Sequence, residues 1–165
     1  MLKTILTATL LALSLNAFSQ SDIELVYSEL KLNLPADFTV IGHLGGQDGF
    51  LVFRYGHEKG KKYIAFSDMT NDDSIEYGCS VSVFFNDLFS DNRNTPCNSE
   101  TLKIMRKAFI EKSDVAVWKV NGYKLNYSSD KDKSFVFLSG ENGKLIKIDS
   151  DFLDKKDYEN IFKNI

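Results

Sequence analysis

Cys79 and Cys97, the two cysteines of the chain, are the residues whose chemistry is easiest to assign. Neither has a histidine beside it in the sequence, and their spacing is far from the Cys-x-x-Cys of redox sites. In an oxidising compartment an even pair most simply forms one disulfide, and this one would close a loop of about 18 residues, worth roughly 3 kcal/mol. The sequence therefore predicts a structural disulfide rather than a thiol site.

The two histidines, His43 and His57, border glycine-rich turns on different predicted strands. Histidine is the usual acid–base and metal residue, so a metal site with Asp48 or Glu58 is one hypothesis, but exposed turn histidines are the simpler interpretation. The chain has no Gly-x-Ser-x-Gly motif, and the glycine-rich residues 45–49 do not open a helix as a phosphate-binding loop would. We therefore expect no catalytic site, metal or cofactor.

The acidic side chains form two clusters in the sequence: Asp68, Asp72, Asp73 and Glu76, and then Asp149, Asp151, Asp154 and Asp157. Two carboxylates held about 5 Å or roughly 6.5–9.5 Å apart can hydrolyse a glycoside, and alternate aspartates can bind calcium. Hydrolysis of this kind requires an acid from each cluster in one cleft. Aspartates at turns and helix starts also cap backbone amides, which is the structural alternative.

Residues 1–19 have the three regions of a secretory signal peptide. Lys3 precedes an apolar run over residues 5–15, which leads to the small-residue exit Ala17-Phe18-Ser19. The run is about half of the roughly 20 residues that a membrane-spanning helix needs, and no later stretch is longer. We therefore expect a periplasmic or secreted protein without a membrane span, whose residues 20–165 form a single domain.

The net charge of the chain is −3, and it becomes −4 when Lys3 is removed with the signal peptide. This mild acidity lacks the basic face that nucleic-acid binding requires, so we expect no nucleic-acid partner. It is compatible with a cationic protein partner.

The first half of the chain predicts strands joined by turns. The alternation over residues 24–33 slips in phase near Ser28, which we interpret as a β-bulge. After a turn at residues 34–37, a strand is predicted over residues 38–43. Strands over residues 50–55 and 63–67 flank the polar turn at residues 56–61, which predicts a hairpin.

Residues 77–89 fit two patterns. Tyr77, Cys79, Val81, Val83 and Phe85 alternate as in a strand, whereas Val81, Phe84, Phe85, Leu88 and Phe89 fit one face of a helix. Because the segment is rich in β-branched residues with intervening serines, we predict a strand with a helical turn after Phe84.

The second half predicts two helices and two hairpins. One helix is capped by Asn98 or Ser99, with an apolar stripe at Leu102, Met105, Ala108 and Phe109. The other begins near Asp154 or Asp157, with Tyr158, Ile161, Phe162 and Ile165 on one face. The hairpins pair residues 115–120 with 123–127, through Asn121-Gly122, and residues 135–138 with 145–148.

Short turns between strands indicate an antiparallel sheet. We therefore predict an α+β fold, with a largely antiparallel sheet of about seven to nine strands and two amphipathic helices covering one face.

The segment Leu32-Asn33-Leu34-Pro35-Ala36-Asp37-Phe38, together with residues 49–53 and 64–67, resembles the opening of PsbP/Mog1-type domains. Those domains have a leucine-proline-x-x-aromatic turn between strands and form an α/β/α sandwich. The resemblance implies a non-catalytic binding scaffold and transfers no site residues.

Polar loops at residues 43–49, 68–76 and 90–98 are where a binding protein of this kind would contact its partner. The candidate contact residues are Asp48, Asp72, Asp73, Glu76, Asp91 and Arg93. The combination of a signal peptide, one disulfide and no catalytic set predicts an exported, non-enzymatic protein-binding domain, such as an inhibitor or immunity protein against a toxin or a cell-wall-degrading enzyme. The alternatives are a carboxylate-dependent hydrolase and a small-ligand or lipid carrier.

Overall fold

The computed structural model of the protein describes residues 22–45, 49–90 and 94–165. The predicted signal peptide and three candidate contact residues, Asp48, Asp91 and Arg93, lie outside these ranges. The elements are β1 (Asp22–Tyr27), β2 (Leu30–Pro35), β3 (Val40–Leu44), β4 (Phe50–Arg54), β5 (Tyr63–Asp68), α1 (Val81–Leu88), α2 (Ser99–Phe109), β6 (Asp114–Val120), β7 (Tyr123–Ser129), β8 (Ser134–Ser139), β9 (Leu145–Ser150) and α3 (Lys155–Ile161).

Seven strands form one antiparallel sheet in the order β3-β4-β5-β9-β8-β7-β6. Strands β1 and β2 form a separate hairpin. The predicted α+β class and the antiparallel sheet are confirmed. No helix in the described ranges is long and apolar enough to cross a membrane.

The β1–β2 hairpin corrects the predicted β-bulge. Tyr27 pairs with Leu30, so Ser28 and Glu29 form a two-residue turn, with φ of 47° and 69°. Such a turn normally requires asparagine or glycine, and the sequence carries neither signal here. Long-range contacts support it instead, because the Ser28 hydroxyl donates to Asp68 and the Lys144 ammonium donates to the Ser28 carbonyl.

The three hairpins predicted within the large sheet are confirmed. In the clearest of them, Val120 pairs with Tyr123 around Asn121 and Gly122, whose φ values are 45° and 86°. Both values lie in the left-handed region that a type I′ turn requires and that asparagine and glycine tolerate. Local chemistry is therefore sufficient to place this turn.

The first face of the sheet is covered by β1–β2 and α3, which we call the hairpin layer. Leu32 and Leu34 of β2 and Tyr158 and Phe162 of the C-terminal segment are fully buried there, against sheet residues such as Ile148. The predicted helix α3 is confirmed, and it begins with a capping box formed by Asp154 and Asp157.

The second face is covered by α1 and α2, which we call the helical layer. The predicted helix α2 is confirmed, with Asn98 as its N-cap, but it packs on the opposite face from α3. The expectation that the two predicted helices cover one face is therefore wrong. Each face of the sheet therefore has its own cover.

The strand predicted within residues 77–89 is also wrong, because helix α1 begins at Val81, although the helical turn predicted after Phe84 lies within this helix. Phe84, Phe85 and Leu88 are at most 1% exposed, and the Phe85 ring stacks on Phe137 of β8 at a centroid distance of 4.3 Å. The helical spacing puts these large side chains on one buried face, whereas the alternating pattern would expose half of them. Burial of the aromatic face outweighs β propensity.

The predicted disulfide between Cys79 and Cys97 is confirmed, with the Cα atoms 4.8 Å apart. It joins the segment before α1 to the N-cap of α2. Gly78 beside it has φ of 72°, and a Cβ there would lie 2.7 Å from the Asn98 nitrogen. The two chain segments therefore meet backbone to backbone, which only glycine permits at this position.

Candidate functional site

The first acidic cluster divides into structural and surface residues. The Asp72 carboxylate accepts hydrogen bonds from the Ser74 amide and hydroxyl and from the Tyr77 hydroxyl. Burial raises the pKa of Asp72, but these bonds outweigh it and leave the pKa below its usual range. Asp73 and Glu76 are exposed. Contact of these candidate residues with a partner stays a prediction.

The second acidic cluster holds backbone together. Asp151 accepts from the amides of Lys62 and Tyr63, both at 2.9 Å, and Asp154 caps α3. The Asp149 carboxylate lies 3.1 Å from the Lys147 ammonium. These contacts are the structural role expected of aspartates at turns and helix starts.

The two acidic clusters lie apart. Asp68 ends β5, whereas Asp151 accepts a hydrogen bond from the Tyr63 amide at the other end of that strand, about 16 Å away at roughly 3.3 Å per residue. Asp149 shares its sheet face with Leu145 of the helical layer, and Asp68 shares its face with Phe66 of the hairpin layer. The shared cleft that the hydrolase hypothesis requires is not formed between these acids.

Among the described residues, no group of three His, Cys, Asp or Glu side chains is placed to hold a metal ion. His43 lies in β3, opposite Leu51 of β4. His57 lies in the loop after β4, beyond the other end of the β3–β4 pair. Both side chains are exposed.

A cleft of about 660 Å³, which we call the loop-end cleft, opens where three hairpin turns meet the end of β5. The turns are those of β1–β2, β6–β7 and β8–β9. The residues of the cleft are Ser28, Glu29, Asp68, Thr70, Asn71, Asn121, Gly122, Tyr123, Gly140, Glu141, Asn142 and Lys144.

One side of the loop-end cleft is held by a hydrogen-bond network. Asp68 accepts from the Ser28 hydroxyl at 2.6 Å and from the Thr70 amide at 3.0 Å, and Lys144 lies 2.9 Å from Glu29. Burial raises the pKa of Asp68, but the hydrogen bonds and the nearby Lys144 charge outweigh it and lower the pKa. Asp68 is therefore ionised at neutral pH.

The other side of the loop-end cleft carries unused hydrogen-bonding groups. Asn71, Glu141 and Asn142 are exposed and form no side-chain hydrogen bond with the described residues. The Tyr123 ring lies against the β8–β9 turn, where a Cβ on Gly140 would come within 3.1 Å of it. The cleft therefore has polar groups held by internal hydrogen bonds on one side and polar groups that can bind a ligand on the other.

Edge strand β3 exposes apolar side chains. Val40, Ile41 and Leu44 are 48%, 52% and 70% exposed, and the outer side of β3 pairs with no strand in the described part of the chain. Val40 and Leu44 pair with Arg54 and Phe50 of β4, so these side chains share one sheet face. We call Val40, Leu44, Phe50, Val52 and Arg54 the edge face.

The helical layer leaves the edge face uncovered. The buried cluster of α1 and α2 includes Phe137 of β8 and Leu145 of β9 but no residue of β3 or β4. Gly42 lies between Val40 and Leu44, and a Cβ there would meet the Val52 side chain at 2.9 Å. The Val52 side chain therefore lies over Gly42 and adds apolar surface between Val40 and Leu44.

The opposite edge of the sheet differs. Val115 and Val117 of β6 are 49% and 48% exposed, but Lys119 follows them and pairs with Lys124 of β7. Lysine on an edge strand is a common device against unwanted strand pairing. Strand β3 carries no Asp, Glu, Lys or Arg, so the two edges differ in charge.

The sequence alone predicts neither the edge face nor the loop-end cleft. For the loop-end cleft, a signal is available in the sequence, since asparagine and lysine lie in the predicted turns of successive hairpins. Alternate turns of an antiparallel sheet lie at the same end of the sheet, so their side chains can meet there. Comparison with known protein families, with curated proteins and with solved structures finds no match to this chain.

Proposed function

We propose that the mature protein is an exported, non-enzymatic protein-binding domain of the inhibitor or immunity-protein type, and that β3 and the edge face bind the partner. The observation that carries this proposal is the uncharged edge strand with exposed Val40, Ile41 and Leu44. Exposed strand edges favour pairing with other chains, and charged side chains are one device by which proteins block them.

The chemistry of this surface supports a protein partner. The outer edge of β3 offers backbone groups to an extended segment of the partner, and side chains on alternate positions supply specificity. Phe50 and Arg54 beside it are half-buried aromatic and arginine residues, types that are enriched at protein interfaces. A small number of such anchors supplies most of the binding energy of an interface.

The PsbP/Mog1 resemblance is part of the proposal. A central sheet with helices on both faces is the arrangement that this family's sandwich has, and the resemblance implies a binding scaffold. The export signal predicted at residues 1–19 and the disulfide support a place outside the cytoplasm.

The two alternatives have less support. The hydrolase would need one cleft for both acidic clusters, which lie at opposite ends and on opposite faces of β5 and β9. The carrier would need a closed apolar pocket above about 300 Å³, whereas the loop-end cleft is open and polar.

A binding experiment with matched edge variants tests the proposal. The exported, disulfide-bonded protein is measured against a panel of purified extracytoplasmic toxins and cell-wall hydrolases, by surface plasmon resonance and by inhibition of each enzyme. We expect one partner to be bound and inhibited. Leu44→Lys should weaken that binding at least about tenfold, because it places a desolvated charge in the interface.

Val117→Lys is the matched control, since it adds the same charge to the other sheet edge at a valine of 48% exposure. It should leave the affinity unchanged. The proposal fails if no member of the panel is bound and inhibited, or if the two variants weaken binding equally.

A further inference from the structure

We propose that the loop-end cleft is a second binding site, specific for neutral saccharides. Its volume of about 660 Å³ lies within the range of small-molecule sites. Three turns and the end of β5 line it, so its polar groups come from four separate parts of the chain.

The mixture of hydrogen-bonding groups favours hydroxyl ligands. Asn71 and Asn142 each offer amide donors and a carbonyl acceptor, and Glu141 offers acceptors only. A sugar hydroxyl both donates and accepts, so it can satisfy donors and acceptors together. An anion would meet three carboxylates in the cleft, those of Glu29, Asp68 and Glu141.

A cationic ligand fits the cleft less well than a neutral one. Lys144 already occupies the fixed side, where it contacts Glu29 and the Ser28 carbonyl. A second cation would leave the amide donors of Asn71 and Asn142 without an acceptor, whereas a neutral hydroxyl ligand can use them. Glu141 is exposed at the rim, where a single ion pair contributes little.

The fixed side of the cleft is already oriented for binding. Asp68 is held by Ser28 and Thr70, and an ionised carboxylate with two bonds still has free lone pairs. Because these groups are positioned before the ligand arrives, binding does not require them to be ordered again. Tyr123, packed against Gly140, adds an aromatic surface to the polar set.

A glycan array carrying neutral, anionic and amino-sugar oligosaccharides tests the ligand class with the exported, disulfide-bonded protein. We expect binding to neutral members. Titration of isotope-labelled protein with the best neutral trisaccharide should then give saturable NMR shifts at residues 70–71, 121–123 and 140–144. Binding only to charged glycans, binding to none, or shifts confined to other residues overturns the proposal.

Two exposed asparagines allow a variant test without risk to the fold. Asn71→Ala with Asn142→Ala should weaken trisaccharide binding at least about tenfold, because several hydrogen bonds are lost. Asn160→Ala, an exposed asparagine in α3, is the matched control and should bind as the parent does. Gly140→Ala should also weaken binding, since its Cβ displaces the Tyr123 ring. Equal affinity of all four proteins overturns the site.

Discussion

The two faces of the seven-stranded sheet are covered by different means. The hairpin layer buries Leu32 and Leu34 and is joined to the sheet by polar contacts at the Ser28 turn. The helical layer consists of helices of 8 and 11 residues, with aromatic packing around Phe85 and the Cys79–Cys97 disulfide. Helices this short are marginal alone, so their layer depends on tertiary packing and on the covalent bond. Each cover is therefore stabilised where its own local structure is weakest.

Truncation of the two cores should have the largest effects. Phe85→Ala removes a ring that is 1% exposed and stacked on Phe137, and we expect a loss of about 3–5 kcal/mol of unfolding free energy. Leu32→Ala in the hairpin layer should cost about 2–5 kcal/mol. Urea unfolding measures both. A loss under about 1 kcal/mol for Phe85→Ala would mean that the helical layer lies outside the cooperative core.

Removal of the disulfide should destabilise the helical layer more than the hairpin layer. The Cys79→Ala/Cys97→Ala variant should lose about 3 kcal/mol, because the unfolded chain regains the entropy of its loop. Native-state hydrogen exchange should then accelerate most in α1 and α2 and least in β1 and β2. Equal acceleration of hydrogen exchange in both layers would contradict the prediction that the disulfide acts mainly on the helical layer.

The helix caps of the two layers should contribute alike. Asn98 caps α2 through the Glu100 and Thr101 amides, and Asp154 caps α3 through the Asp157 amide. Asn98→Ala and Asp154→Ala should each cost about 1 kcal/mol in thermal or urea unfolding. Asn160→Ala, which removes no cap, serves as the control and should change stability little. Clearly unequal losses for the two caps, or a cap loss no larger than that of the control, would contradict this prediction.

Acid should weaken the polar attachment of the hairpin layer. Burial tends to raise the pKa of Asp68, but hydrogen bonds from Ser28 and Thr70 hold this pKa below its usual range. The stabilisation of the folded state by the ionised Asp68 carboxylate is therefore complete above the unfolded pKa of about 4. It is lost as the pH falls through the folded pKa. Asp68→Asn should lose about 1 kcal/mol or less at neutral pH, since the site is open to solvent.

Urea unfolding at neutral pH and at about pH 3 checks this behaviour. The difference in stability between the parent and Asp68→Asn should shrink in acid. A difference that stays constant with pH would mean that the Asp68 charge does not hold the β1–β2 turn.

Local chemistry made part of the fold predictable. The Asn121-Gly122 hairpin followed from two residues that tolerate positive φ, and α3 followed from its aspartate cap and apolar stripe. The disulfide followed from the number of cysteines and the predicted compartment. Each of these features depends on neighbours in sequence or on composition.

Other features depend on contacts between distant segments. Residues 81–88 fit a strand and a helix, and burial against distant residues such as Leu102 and Phe137 selects the helix. Ser28 and Glu29 have no turn signal of their own, and their conformation is supported by Asp68 and Lys144. The loop-end cleft likewise assembles residues from four separate parts of the chain.

The sequence by itself determined the fold class, most strands, two helices, the disulfide and the absence of familiar catalytic motifs, because these arise from periodicity, caps, turn residues and composition. Tertiary structure decided which helix covers which face, that β3 is an uncharged edge, and that the polar turns meet in one cleft. The physical reason is strand order. Pairing of β5 with β9 brings distant hairpins side by side, and no local pattern encodes that pairing.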